Sequence, residues 1–465
     1  MTQTHQPAAL QVERRSIDFV PDEERHGHPA SLFTVWFAAN TQITAAVTGA
    51  LGVVLGLSLP WAVVALVLGN LVGGVAMALH SAQGPKLGVP QMIQSRAQFG
   101  FFGAVLPLLL VIVMYLGFFA SSGVLGGAAL AQWTGMPQVP AIIIVAVVCT
   151  VLALYGYRLI HRYERWVSLL SALLFLYLTI ELFHREDVGA AWHAGHLSWG
   201  TFLLVVSISA TWQFTWGPYV ADYSRYLPRR TSTASTFWWT YTGSVVGASW
   251  LMCFGAAAAA VAEQAFEGGS VSFLTGLSVD GLDWLVLLIT ILGVIAVNVL
   301  NLYGAFMSAT TTLTVVWRGP LGRGTRTAYV VGVAVVGTVI AVAGRGNFVS
   351  NYENFILFLS YFLIPWSAIN LADFYWVRKE RYDIDALFDP RLGYGAVNVR
   401  ALAAYLLGIV LQLPFMNTTF YVGWWVDDLG GADIAWLIGF VVPALAYVLL
   451  LRNRSIVAVP EGTHP

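Results

Sequence analysis

The chain has 465 residues, 58% of them hydrophobic and only 10% charged, with a formal net charge of −1 and a mean hydropathy of +0.72. Soluble domains carry about 25% charged residues, so this composition describes an integral membrane protein and gives no ground for a nucleic-acid partner. The two cysteines, Cys149 and Cys253, fall inside apolar stretches, which argues against a disulfide or a metal centre.

Residues 1–30 are polar, lack the apolar core of a signal peptide, and read as a cytoplasmic tail. A membrane crossing needs about 20 apolar residues. Twelve stretches qualify, at about 31–57, 60–80, 102–132, 139–157, 165–183, 199–221, 236–262, 283–313, 327–343, 351–376, 401–417 and 433–451. The expected architecture is an all-α membrane-spanning domain over 31–452, followed by a cytoplasmic tail at 453–465. With the N-terminus inside, 21 of the 23 Lys and Arg residues fall on the cytoplasmic side, and only Arg185 and Arg345 lie outside. One missed or invented helix would reverse every later loop and scatter that bias, so positive-inside counting supports twelve crossings with both ends cytoplasmic. The longest connections, 81–101, 184–198, 263–282 and 377–400, read as loops too short to fold alone. His184, His193 and His196 cluster in one of them, where a solvated loop is the plainer reading than a metal site.

Function must then reside within the bundle. Span 1 carries Ala38-Ala39-Asn40-Thr41-Gln42 at mid-membrane depth, which are small or polar residues suited to a helix break. Span 6 carries Trp212-Gln213-Phe214-Thr215-Trp216-Gly217-Pro218, in which the proline removes a backbone donor. Spans 1 and 6 correspond if the first ten helices form two five-helix repeats. Matched interrupted helices point to a transporter's substrate site and argue against a channel, which needs a continuous pore.

Span 3 contributes Phe118 and Ser122, four apart on one helix face. Core packing is the alternative reading for both. Span 8 contributes Asn298 and Asn301, three apart on one face. Two amides in an apolar span need partners, either a cavity or another helix. In span 6, Trp212 and Trp216 share a face beside Gln213, whereas Trp238 and Trp239 read as interfacial. Glu181, Asp222 and Asp373 lie near helix ends, and no mid-membrane acid, base or nucleophile set suggests an enzyme. Uncharged hydrogen-bonding groups beside aromatics suit a flat, neutral, polar ligand.

The connection after span 2 reads Gly88-Val89-Pro90-Gln91-Met92-Ile93-Gln94-Ser95-Arg96-Ala97-Gln98-Phe99-Gly100. With Trp36-Phe37-Ala38-Ala39-Asn40, Ala221-Asp222-Tyr223-Ser224-Arg225-Tyr226 and Asn301-Leu302-Tyr303, it resembles the nucleobase:cation symporter-1 family, in its purine–cytosine permease branch. The resemblance runs from about residue 15 to 450. It implies a leucine-transporter-like fold of two inverted five-helix repeats plus two extra helices. It also implies a site between spans 1, 3, 6 and 8, with an aromatic from span 3 and one from span 6 sandwiching the ligand ring. Carried over residue by residue, Phe118 is the span 3 aromatic, Ser122 stands where a structurally known member has Gln, and Asn301 and Gln42 match its amides. Trp212 and Trp216 compete for the span 6 position, and the run into Ala221-Asp222-Tyr223 favours Trp216. Asn40, Gln213 and Asn298 complete the expected substrate-binding set.

Sodium-coupled members place a Ser-Thr pair on span 8 where this chain has Ile295 and Ala296. Neither side chain offers an oxygen ligand for a hard cation. The resemblance therefore implies proton-coupled import of a purine base or cytosine across a plasma or inner membrane, with no cofactor beyond the coupling ion and no named proton relay. The same scaffold carrying allantoin, uracil, hydantoin or a thiamine precursor is the alternative, and a channel or non-transporting sensor is the alternative of another class.

Overall fold

The computed structural model describes residues 17–155, 157–193, 195–313, 315 and 323–451. The first sixteen residues of the N-terminal tail and the C-terminal tail lie outside them. In chain order the helices are α1 (Ser31–Asn40), α2 (Ile43–Val54), α3 (Leu59–Leu87), α4 (Gln91–Phe99), α5 (Val105–Thr134), α6 (Gln138–Tyr155), α7 (Tyr157–Arg185) and α8 (Val188–His193). They continue as α9 (Trp199–Trp216), α10 (Val220–Ser224), α11 (Thr233–Gly276), α12 (Asp283–Leu313), α13 (Arg323–Gly344), α14 (Phe348–Ala372), α15 (Val399–Gln412) and α16 (Ala435–Leu451). Every one of the twelve expected crossings is occupied by helix, the first by α1 and α2 together. By length and apolarity alone, six stretches among the described residues could cross a membrane, and the bent α1–α2 pair makes a seventh.

Both expected helix breaks are present. Between α1 and α2 the axis turns by 59°. Thr41 (φ −89°, ψ 71°) and Gln42 (φ −147°, ψ 158°) leave the helical region there. In span 6, α9 ends at Trp216, a 3-10 turn takes in Gly217–Tyr219, and α10 resumes at Val220. Pro218 sits in that turn, where its missing N–H costs no regular helical bond.

Three segments expected as loops carry α-helix, the 184–198 connection through the short α8. α11 runs on to Gly276, with non-helical backbone at Ala262 and Gly269. The 81–101 connection is the end of α3, a left-handed Gly88 (φ +65°) that stops it, and α4, all of whose residues are buried. A buried polar helix is tolerable only when its side chains find partners. Here Gln98 Nε2 donates to Asp373 Oδ2 at 2.8 Å. Arg96 donates to Leu387 O at 3.0 Å and Thr311 O at 3.2 Å. Gln91 Nε2 donates to Gln83 Oε1 at 3.1 Å.

α2 and α3 pack on α11, α3 on α9, and α5 on α12. Small residues allow the backbones to meet. A Cβ on Gly49 of α2 would lie 1.9 Å from Met252 O, and one on Gly255 of α11 would lie 1.8 Å from Ala46 O. Between these two helix groups lie the side chains of spans 1, 3, 6 and 8.

Candidate substrate site

An aromatic layer stands at the level of the two breaks. Phe118 of α5 meets Trp212 of α9 edge-on, with centroids 6.0 Å apart, and Phe355 of α14 at 5.2 Å. Trp216 lies 5.9 Å from Trp212, 5.6 Å from Trp36 and 5.6 Å from Tyr219. The span 6 ring that meets Phe118 is Trp212, and Trp216, expected as the ligand-facing aromatic of span 6, stands next to it. One helical turn separates the two indoles, and sequence spacing alone does not distinguish them. Trp216 belongs to the same layer from the other side, and its Nε1 is buried without a hydrogen-bond partner.

Asn298 and Asn301 of α12 join the layer. Asn301 Nδ2 donates to Asn298 Oδ1 at 3.3 Å, and Asn298 Nδ2 donates to Phe119 O at 3.1 Å. Asn298 thus anchors α12 to α5, and Asn301, slightly exposed at 6%, is the freer amide.

On one side of this layer a small cavity is lined by Gln42, Thr44, Ser122, Ser171, Thr290 and Val294. It brings together the expected Gln42 and Ser122. Gln42 Nε2 donates to Ala39 O at 2.9 Å, closing the turn at the break. Ser122 Oγ is buried with no partner. Thr44, Ser171 and Thr290 were not singled out in the sequence, because lone hydroxyls in apolar helices usually bond their own backbone. On the other side a second cavity is lined by Met92, Tyr115, Pro218, Asp222, Gly304 and Ser308, among others. Gly304 leaves room for Tyr115: a Cβ there would lie 2.3 Å from its ring.

The structure does not bring Asn40 and Gln213, expected as ligand contacts, into this set as free amides. Both are fully buried. Asn40 Nδ2 donates to Trp36 O at 2.7 Å and Ser244 Oγ at 3.0 Å. Ser244 donates to Gln213 Oε1 at 2.7 Å, and Gln213 Nε2 donates to Asn70 Oδ1 at 2.7 Å. Their amides are turned into a network that joins α1, α3, α9 and α11.

Hydroxyls, the Asn301 amide and an unpartnered indole N–H around edge-on rings can bind a planar neutral heterocycle by its faces and edges. The comparisons with known proteins agree with that chemistry. Residues 19–439 match the family described as permeases for cytosine and purines, uracil, thiamine and allantoin. A putative purine-cytosine permease of Bacillus subtilis, YxlA, is 45% identical over 447 residues, covering 96% of this chain and 97% of the relative. The purine-cytosine permease fcyB of Emericella nidulans is 28% identical, covering 95% of this chain and 89% of the relative. In fold, the chain is similar to the inward-facing conformation of Mhp1 (TM-score 0.77, 19% identity, 96% and 94% of the two chains). It is also similar to Mhp1 in a closed conformation with bromovinylhydantoin bound (TM-score 0.74, 18% identity, 95% of each chain). A multi-pass bundle with broken first and sixth crossings, a neutral aromatic site between them and a family match over most of its length together show that the chain belongs to the permease family for cytosine and purines, uracil, thiamine and allantoin.

Proposed function

We propose that this membrane transporter imports a purine base or cytosine together with a proton, by alternating access, across a plasma membrane with both termini in the cytoplasm. The observation that carries the reading is the aromatic–asparagine layer, with the partnerless Ser122 Oγ and Trp216 Nε1, lying between two separate cavities. A ring held in that layer exchanges water for protein hydrogen bonds, and a cavity on each side gives it a way in and a way out. The second cavity sits beside α4 and the run Ala221–Arg225, on the side where the basic residues gather, so it faces the cytoplasm. The relatives named purine-cytosine permeases support the substrate class. Ile295 and Ala296, both buried, support a proton over sodium, since their side chains supply no oxygen ligand.

The test is uptake by cells expressing the chain. Radiolabelled cytosine, adenine, guanine and hypoxanthine are measured beside uracil, allantoin and hydantoin. Saturable uptake of a purine or cytosine, competed by the other bases, is the expected result. Uptake confined to uracil, allantoin or hydantoin would move the chain to another substrate class of the same family.

A further inference from the structure

We propose that Asp222 carries the coupled proton, and that its charge state decides whether α4 is held against span 6. The inference rests on the reading of the chain as a proton-coupled base importer.

Asp222 belongs to α10, directly after the span 6 break, and is half-buried. It lines the cytoplasmic cavity together with Tyr115, Pro218 and Ser308. Its Oδ1 accepts the backbone N–H of Gln91 at 2.7 Å. Gln91 is the first residue of α4 and follows Pro90. First-turn N–H groups have no partner within their own helix, and an anion is favoured at that end. A carboxylate therefore grips α4 more strongly than a neutral carboxyl does, because charge-assisted bonds are the stronger kind.

That bond joins two different parts of the bundle. The remainder of α4 is fixed elsewhere: Gln98 to Asp373 and Tyr382, Arg96 to Leu387 O and Thr311 O, and Ser95 to the indole of Trp366. Asp222 bonds α4 to the segment that follows the break in the sixth crossing. The fully buried carboxylates among the described residues are differently placed. Asp373 is bonded by Arg378, Tyr382, Tyr447 and Gln98. Asp433 is bonded by Tyr361 and the N–H groups of Asn417 and Ala435. Neither lines either cavity.

Titratable and charged groups approach Asp222 from several elements. α5 presents Tyr115, and its own segment presents Tyr219 and Tyr223. α3 presents His80, one residue removed, through the Gln91 side chain. α4 presents Arg96, which bonds the Thr311 carbonyl at the cavity wall. Arg225, three residues on in the same segment, donates to Asp18 O and to the Tyr226 hydroxyl.

The cycle follows from these positions. Ionised Asp222 holds Gln91 and keeps the cytoplasmic face shut. A proton entering with the base from the outside neutralises it, and the Gln91 bond weakens. The cytoplasmic cavity opens, and base and proton leave through it. The restored carboxylate takes back the Gln91 N–H and resets the carrier.

The experiment uses proteoliposomes holding the full chain, with radiolabelled cytosine and hypoxanthine as probes. With the outside more acid by about one pH unit, a one-proton symport accumulates base about tenfold. The parent should do so. Asp222→Asn should equilibrate the base without accumulating it, yet still exchange internal for external base at a rate comparable with the parent. Asp222→Glu should accumulate it with a shifted pH profile. Tenfold accumulation by Asp222→Asn, or an unshifted profile for Asp222→Glu, overturns the proposal. So does loss of exchange and accumulation in both variants, which marks Asp222 as a structural cap. A parent that transports neither base, or that accumulates base without a pH gradient, overturns the underlying reading as well.

Discussion

Trp212 Nε1 donates to Asn40 Oδ1 at 2.6 Å, and this one bond ties the break in span 1 to the helix that breaks in span 6. The ring that faces Phe118 is therefore oriented from behind by an amide that never needs to touch the ligand. Ser244, Gln213 and Asn70 extend the chain of bonds, and every donor along it points the same way.

Asn40→Ala should release Trp212 and leave its N–H unpaired in a dry site. Losing such a partner costs about 1–3 kcal/mol, or roughly tenfold or more in affinity. Trp212→Phe removes the same bond from the other end. Combined in one protein, the two changes should cost less than the sum of the singles, as expected for residues sharing one interaction. Equilibrium binding of radiolabelled base to solubilised protein measures this. Strict additivity would mean that the bond does not position the ring.

Asn301→Ala should weaken base binding by a similar factor while the protein still reaches the membrane, since the Asn298–Phe119 bond is left to hold α12 on α5. Phe118→Ala should weaken binding through lost stacking, and Phe118→Trp should be tolerated or change base preference. Trp238, 58% exposed on α11, supplies the control: Trp238→Ala should leave affinity as it is. Parent-like affinity in Asn301→Ala for every base would assign that amide to helix packing.

Sidedness is testable at exposed positions. The burial of α4 makes the 81–101 connection a poor labelling site, whereas Leu392 is 45% and Phe420 71% exposed. On intact cells an impermeant thiol reagent should label a cysteine at Phe420 and spare one at Leu392 until the membrane is opened. The reverse pattern would overturn the count of twelve crossings with both ends inside.

Much of this arrangement was legible in the sequence, and for identifiable reasons. Polar residues at Asn40–Gln42 and the proline at 218 are anomalies in apolar helices, and both mark real breaks. The basic residues set the expected sense of the crossings, which the labelling experiment decides. What stayed hidden depends on contacts distant along the chain. The Gln91–Gln98 stretch reads as a loop because it is polar. It is a buried helix because Asp373, Leu387 and Thr311, all far along the chain, supply its partners. Asn40 and Gln213 have the composition of ligand contacts, but Ser244 and Asn70 claim them, and no spacing rule pairs those positions. The choice between Trp212 and Trp216 turns on helix rotation, which only packing against α5 fixes.

The most direct test of proton-coupled base import is uptake in cells with external Na⁺ replaced by choline, with and without a protonophore. Ile295 and Ala296 lead to a clear expectation: uptake of cytosine or a purine continues nearly unchanged in choline, and the protonophore abolishes accumulation. Strict dependence on Na⁺, with no effect of the protonophore beyond its effect on the sodium gradient, would contradict proton coupling and place an oxygen-ligated cation elsewhere in the bundle.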